Sequence, residues 1–187
     1  YGRPTVASLV PTDRYPGLFP VGRLDQDTTG VLLFMTDGEL AARLLHPRTH
    51  VDQAYPARVA GRLSPFDVKR LCEGVELDDG MTAPAEVRTL SDFEGRDVCD
   101  PSMHAGDDLV EVVLHEGRKR QVKRMLSYVG HPVFRLNRVS FGPITAAGLP
   151  VGKWRLLNAA EVEALRNSLG NRRLARSSRA VDCNLHV

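Results

Sequence analysis

Residues 30–36, GVLLFMT, constrain the fold more than any other stretch. The run is apolar without interruption and is bounded by Gly30 before it and by Asp37 and Gly38 after it. With no polar alternation, neither face can be left to water. The stretch therefore predicts a strand buried on both sides. DGELAARLLHP follows, with Leu40, Leu44 and Leu45 along one helical face and Pro47 as the stop, which predicts a helix.

The rest of the chain supplies the elements around that strand. Residues 1–20 are broken by Pro and Gly and leave room for one short strand over residues 5–10. QAYPARVAG predicts a strand in which Pro56, lacking an N–H, belongs at an edge or a bulge. In SPFDVKRLCEGV, Ser64 is an N-cap, Pro65 the first helical residue and Gly74 the terminator. APAEVRTL and DLVEVVLHEG read as strands joined by a surface hairpin loop, SDFEGRDVCDPSMHAGD. RKRQVKRMLSYVG predicts a short basic helix closed by Gly130, with Val122, Leu126 and Val129 turned inward. HPVFRLNRVSFGP is a further strand. NAAEVEALRNSLG is a helix capped by Asn158 and Glu161 and ended by Gly170. Residues 171–187 carry little apolar periodicity and are expected to form a disordered tail. Strands and helices interleave without a strict βαβ rhythm. This favours an α+β domain over residues 1–170 with a mixed, mainly antiparallel sheet.

At 187 residues, 42 % of them hydrophobic, the chain can bury the core of one domain. Its formal net charge of +2 does not by itself announce a nucleic-acid binder, so the local distribution of charge must decide. The three cysteines, Cys72, Cys99 and Cys183, form no CxxC pair and read as reduced thiols of a cytoplasmic protein. The six histidines have no metal-binding spacing, so no metal is assigned. Neither a Walker or Rossmann glycine loop nor a GxSxG elbow occurs. No apolar run approaches the ~18 residues of a membrane span, and residues 1–9 lack the pattern of a secretory signal.

Three constellations remain as candidates for chemistry. In GRLDQDTTG, Asp25 stands at the mouth of the buried strand with Arg23 and Asp27 beside it. Read alone, this favours a polar turn in which Asp25 caps backbone amides. Read as function, it offers a carboxylate at a strand mouth, with Arg23 to meet a phosphate, while Asp27 serves the turn. In EGRKRQVKRM, Arg118, Lys119, Arg120, Lys123 and Arg124 crowd one helix start. Cations there oppose the helix dipole unless an anion is met, which points to a polyanion. In QAYPARV, Tyr55 is an ordinary half-buried strand residue unless a flat substrate needs a stacking partner, worth roughly 1–3 kcal/mol per base.

Taken in order, GRLDQDTTGVLLFMTDGELAARLLHP, QAYPARVAG, EGRKRQVKRML, PVFRLNRVSFGP and LPVGKWRLL resemble the RsuA/RluB family of ribosomal RNA pseudouridine synthases. The resemblance covers roughly residues 5–168. It implies the pseudouridine synthase fold, a mainly antiparallel sheet with flanking helices and a central catalytic cleft. It implies isomerisation of a specific uridine in ribosomal RNA, in large-subunit rather than small-subunit RNA, with no cofactor and no metal. It further implies a cytoplasmic monomer with ribosomal RNA as partner and no membrane.

By the same resemblance, Asp25 is the catalytic nucleophile, Tyr55 stacks on the target base and handles a proton, and Lys123 pairs with the aspartate. Leu136 packs beneath the tyrosine. Arg23, Arg118, Lys119, Arg120, Arg124 and Arg138 serve the RNA. The chemistry suits these types. An ionised carboxylate attacks C1′ or C6, or abstracts the 2′ proton, and a cation within ~4–6 Å favours its charged form. A flipped base costs a few kcal/mol, part of which a stacking tyrosine offsets. Two departures stand out. Gln53 occupies the position, two before Tyr55, where the family usually carries lysine. The family's opening strand and small N-terminal RNA-binding domain have no counterpart ahead of YGRPTVASL. The rival readings are a non-catalytic RNA-binding or ribosome-assembly factor on the same fold, and a glycosidase-like hydrolase, which would want a second inward carboxylate.

Overall fold

The computed structural model describes residues 5–49, 51–96, 98, 106–169 and 180–185, the last six as backbone alone. Along the chain run β1 (Phe19–Pro20), β2 (Thr28–Met35), α1 (Gly38–Leu45), β3 (Gln53–Val59), α2 (Pro65–Glu73), β4 (Glu76–Leu77), β5 (Gly80–Met81) and β6 (Glu86–Thr89). They are followed by β7 (Asp108–Leu114), α3 (Gln121–Tyr128), β8 (Val133–Arg138), β9 (Ser140–Phe141), β10 (Ile144–Thr145), β11 (Lys153–Leu156), α4 (Ala159–Asn167) and β12 (Ala180–Leu185). The chain forms two compact units, Tyr1–Val51 with Val139–Val187, and Asp52–Arg138.

The first unit is organised by β2. Val31, Leu33 and Met35 pack with Leu40 and Leu44 of α1 and Leu165 of α4. The alternate residues Leu32 and Phe34 pack on the other face with Val10, Leu24 and Trp154. Residues 31–35 are at most 1 % exposed, which explains why the run has no polar alternation. Each such side chain contributes about 1.5–3 kcal/mol by leaving water. β1 pairs antiparallel with β2, Phe19 opposite Met35. β12 pairs antiparallel with β2 from Ala180 opposite Met35 to Leu185 opposite Gly30, and with β11 through Lys153 opposite Asn184. The Asp37 side chain accepts the Leu40 N–H at 2.9 Å and caps α1.

Three expectations need correction here. Residues 5–10 hold a turn of 3-10 helix, Val6–Leu9, rather than a strand. Val6, Leu9 and Val10 have a helical i, i+3, i+4 spacing, and the Ser8 hydroxyl donates to the Thr5 carbonyl at 2.8 Å. In α1 the buried stripe is Leu40, Ala41 and Leu44, whereas Leu45 is 48 % exposed. Within the expected tail, residues 180–185 form a strand. Apolar and polar residues alternate along VDCNL, a period-two signal that a five-residue window shows and the whole tail dilutes. Residues 170–179 lie outside the described residues.

In the second unit the strands run β6-β7-β3-β8, all antiparallel. β3 has a partner on each side, so Pro56 is in a strand interior, opposite Glu111 of β7. It precedes by one residue the β8 register, which begins at Ala57 opposite Leu136, and the register slips between Arg58 and Val59. The stretch is thus not at a free edge, but it carries the other expected feature, an irregularity of the ladder two residues beyond the proline. Ala57, Val59, Val110, Val112, Leu114 and Leu136 bury one sheet face under Leu71 of α2 and Val122, Met125 and Leu126 of α3. Ser64 caps α2 with Pro65 at the helix start, and Asn158 and Glu161 form a capping box for α4, as the sequence indicates, while Asp67 completes a reciprocal box with Ser64 that was not expected.

Candidate active site

In the first unit, the segment before β2 is anchored by the buried Val21, whose N–H donates to the Leu33 carbonyl at 2.8 Å. Gly22 follows with φ +77, where a Cβ would also lie 3.1 Å from the Leu45 Cδ2. Leu24 packs against Leu32 and Phe34. That anchors the residue before Asp25, which is itself half-buried, while Arg23 points to solvent.

The turn is closed by the main chain: the Thr28 N–H donates to the Asp25 carbonyl at 2.9 Å. The Asp25 side chain is therefore not what makes the turn. Among the described residues no hydrogen bond or ion pair engages its carboxylate. Other aspartates behave differently. Asp37 caps α1, Asp67 completes the α2 capping box, and Asp79 is held by arginines.

In the second unit, Gln53 and Tyr55 lie two apart on β3 and so share a face. Continuing the β3–β8 register by two residues from Ala57 opposite Leu136 brings Arg138 opposite Tyr55. The side chains meet accordingly. The Tyr55 hydroxyl donates to the Gln53 Oε1 at 2.9 Å. The Arg138 Nη1 donates to the same Oε1 at 3.1 Å and lies 3.5 Å from the Tyr55 oxygen. Tyr55 and the buried Leu136 belong to one apolar cluster. Arg138, expected to serve RNA, is 2 % exposed and turned onto this pair.

The basic segment divides. α3 begins only at Gln121, with Arg120 in the left-handed region at φ 52. Arg118 donates to the carbonyls of Gly80 at 2.9 Å and Met81 at 2.5 Å, and lies 3.4 Å from Glu116. Arg124 donates to Asp79 at 2.6 and 3.0 Å and also to Asp78. The Arg124 hydrogen bond holds the Asp79 carboxyl down to about 2, against a smaller opposing effect of burial. The anion that the sequence demanded near this helix start is thus supplied by the β4–β5 hairpin. Buried Gln121 donates to Glu116 at 2.6 Å and accepts the Arg118 N–H at 3.1 Å, while Glu116 accepts the Ala83 N–H at 3.0 Å. Lys119 and Arg120 are exposed, and Lys123 is half-buried.

Sequence reasoning missed the roles of Asp78 and Asp79, whose partner Arg124 lies 46 and 45 residues along the chain, and of Glu116 and Gln121, which bond each other five residues apart. It noticed Gln53 only as a departure, although the shared face with Tyr55 was readable from the two-residue spacing. No group of three or more His, Cys, Asp or Glu able to hold a metal occurs among the described residues, and none of their helices is long and apolar enough to cross a membrane.

Comparison with known proteins joins these halves to one class of enzyme. Residues 2–128 match the family model described as RNA pseudouridylate synthase. A protein of Aquifex aeolicus named as an uncharacterized RNA pseudouridine synthase is 40 % identical over 178 residues, 95 % of this chain and 67 % of that one. The ribosomal large subunit pseudouridine synthase B of Yersinia pestis is 42 % identical over 166 residues, 88 % of this chain and 49 % of the relative. That of Bacillus subtilis is 37 % identical over 149 residues, covering 80 % and 57 %. A crystal structure of pseudouridylate synthase superposes with a TM-score of 0.73 at 28 % identity, covering 87 % of this chain and 65 % of the other. The α+β fold is thus that of an RNA-modifying isomerase. The chain belongs to the RNA pseudouridylate synthase family, and its relatives are of the RsuA/RluB type. It spans about half to two thirds of the length of these relatives.

Proposed function

We propose that this protein isomerises a uridine of ribosomal RNA, that of the large subunit, to pseudouridine, with Asp25 as the nucleophile. The observation that carries the assignment of Asp25 is the division of labour in its turn. The main-chain carbonyl closes the turn at 2.9 Å, and the half-buried carboxylate is left for another partner. The substrate follows from relatives at 37–42 % identity named for the large ribosomal subunit.

The reaction balances without a cofactor. The N1–C1′ bond breaks, a C5–C1′ bond forms, C5 gives up a proton and N1 ends with one. A carboxylate nucleophile splits this exchange into two easier steps. Tyr55 stacks on the extruded uracil and takes part in moving the proton, over Leu136 as its floor. Lys123 supplies the cation that the charged nucleophile needs. Phosphate contacts fall to exposed Arg23, Lys119 and Arg120, while Arg118 and Arg124 shape the segment by holding the β4–β5 hairpin. The enzyme acts in the cytoplasm as a monomer.

The test is to incubate the protein and its Asp25→Asn variant with ribosomal RNA transcripts and map pseudouridine by a base-specific chemical readout. Wild type should modify a defined uridine and Asp25→Asn none. Equal modification by both would remove Asp25 from the mechanism. Binding by both with modification by neither would make the chain an RNA-binding factor.

A further inference from the structure

We propose that Gln53 is a positioning residue that fixes the Tyr55 hydroxyl so that the phenol oxygen faces substrate as a hydrogen-bond acceptor. This rests on the proposed pseudouridine synthase activity. The geometry settles the direction of each bond. Arg138 has only donors, so the Gln53 atom 3.1 Å from its Nη1 is the amide oxygen. That oxygen has a second lone pair and no hydrogen, so at 2.9 Å the Tyr55 hydroxyl must donate to it. The single phenolic proton is thereby committed to Gln53. The phenol oxygen accepts from the Arg138 Nη1 on one side at 3.5 Å and keeps its remaining lone-pair density for substrate. Whatever substrate group approaches Tyr55 meets an acceptor.

The chemistry at position 53 decides this polarity. A lysine has three donors and no acceptor, so it would turn the hydroxyl proton away and set a second cation against the buried Arg138. Glutamate keeps the acceptor and strengthens the bond to Arg138. Leucine keeps the bulk and removes the acceptor that the hydroxyl and the guanidinium share. Loss of a fixed direction at a group beside the reacting base costs up to about 100-fold in rate.

The experiment measures kcat and KM separately for pseudouridine formation in wild type, Gln53→Leu, Gln53→Glu, Tyr55→Phe and the double variant Gln53→Leu/Tyr55→Phe. Far-UV circular dichroism and thermal melting establish that each is folded. Gln53→Leu should lose about 10–100-fold in kcat with KM within about twofold, and Gln53→Glu should retain most of the wild-type rate. The double variant should be no slower than Tyr55→Phe alone, because both act through one hydroxyl. Additive losses, a rise in KM with kcat unchanged, or full activity in Gln53→Leu would each overturn the proposal. A wild-type enzyme that makes no pseudouridine would instead overturn the activity on which it rests.

Discussion

Arg124 grips Asp79 with two prongs: Nη2 lies 2.6 Å from one carboxylate oxygen and Nη1 3.0 Å from the other. The pair ties the first residues of α3 to the turn between β4 and β5. Arg118 reaches the same turn through the carbonyls of Gly80 and Met81. A two-pronged geometry gives an exposed pair more than the usual small return, though salt still screens it. Asp79→Asn should lower the thermal midpoint by a few degrees at low ionic strength, and the deficit should shrink in about 1 M salt. Differential scanning calorimetry at both salt concentrations checks this, and a salt-independent deficit would mean that the hairpin is held by its backbone bonds alone.

The same pair predicts behaviour in acid. The Asp79 carboxyl lies at about 2 against an ordinary 3.8, and Glu94, held by Arg88 and by Ser91, lies at about 2 against 4.5. Both pKa values are depressed in the folded state. The stabilisation is therefore complete above the ordinary values and drains away as pH falls from about 4 through about 2. Urea unfolding across that window should show wild type losing stability faster than an Asp79→Asn, Glu94→Gln double variant, and the two curves should converge below about pH 2.

Local signals were legible in the sequence and distant ones were not. Ser64 was legible as an N-cap, and Asn158 with Glu161 closes a capping box three residues apart, so spacing alone reveals it. The continuous run through residues 31–35 announced a strand covered on both faces. Asp25 was legible as a site only together with the later segments, because a turn with Asp, Thr and Gly has an ordinary explanation. Which atom of Asp25 closes the turn could not be read, since carbonyl and carboxylate share one letter. The internal partners of the basic segment were not legible, because the acids that answer Arg124 are 45 and 46 residues away. Whether the Pro56 stretch meets an edge or a bulge could not be read either, as the extent of the β8 register depends on a strand far along the chain.

Gly74 ends α2 at φ 93 and ψ 157, a conformation that glycine alone adopts readily. A Cβ there would also lie 2.5 Å from the Thr82 carbonyl oxygen, and backbone cannot swing aside. Thr82 is buried, and its Oγ1 accepts the Val75 N–H at 3.0 Å, so any shift disturbs that bond as well. Gly74→Ala should destabilise the protein by about 1–3 kcal/mol through strain alone. Chemical denaturation would reveal a lower midpoint with unchanged slope. An unchanged midpoint would mean that the loop relaxes without cost.

Arg118 and Arg124 are already answered within the protein, whereas Lys119 and Arg120 lie beside them and face solvent. A cation already paired with a carboxylate gains little from a phosphate, because it must give up one anion to meet another. An exposed cation releases a condensed counterion from RNA at small cost. Substituting Lys119 or Arg120 by alanine should therefore weaken RNA binding across sequences and reduce the slope of log affinity against log salt by about 1 each. Arg124→Ala should lower thermal stability and leave that slope nearly unchanged. Filter binding of ribosomal RNA transcripts across a salt series distinguishes the two kinds of cation. A slope that falls equally for Arg124→Ala would mean that the Asp78 and Asp79 pair yields to phosphate when RNA arrives, so that the hairpin guards the basic segment in the free protein and releases it in the complex.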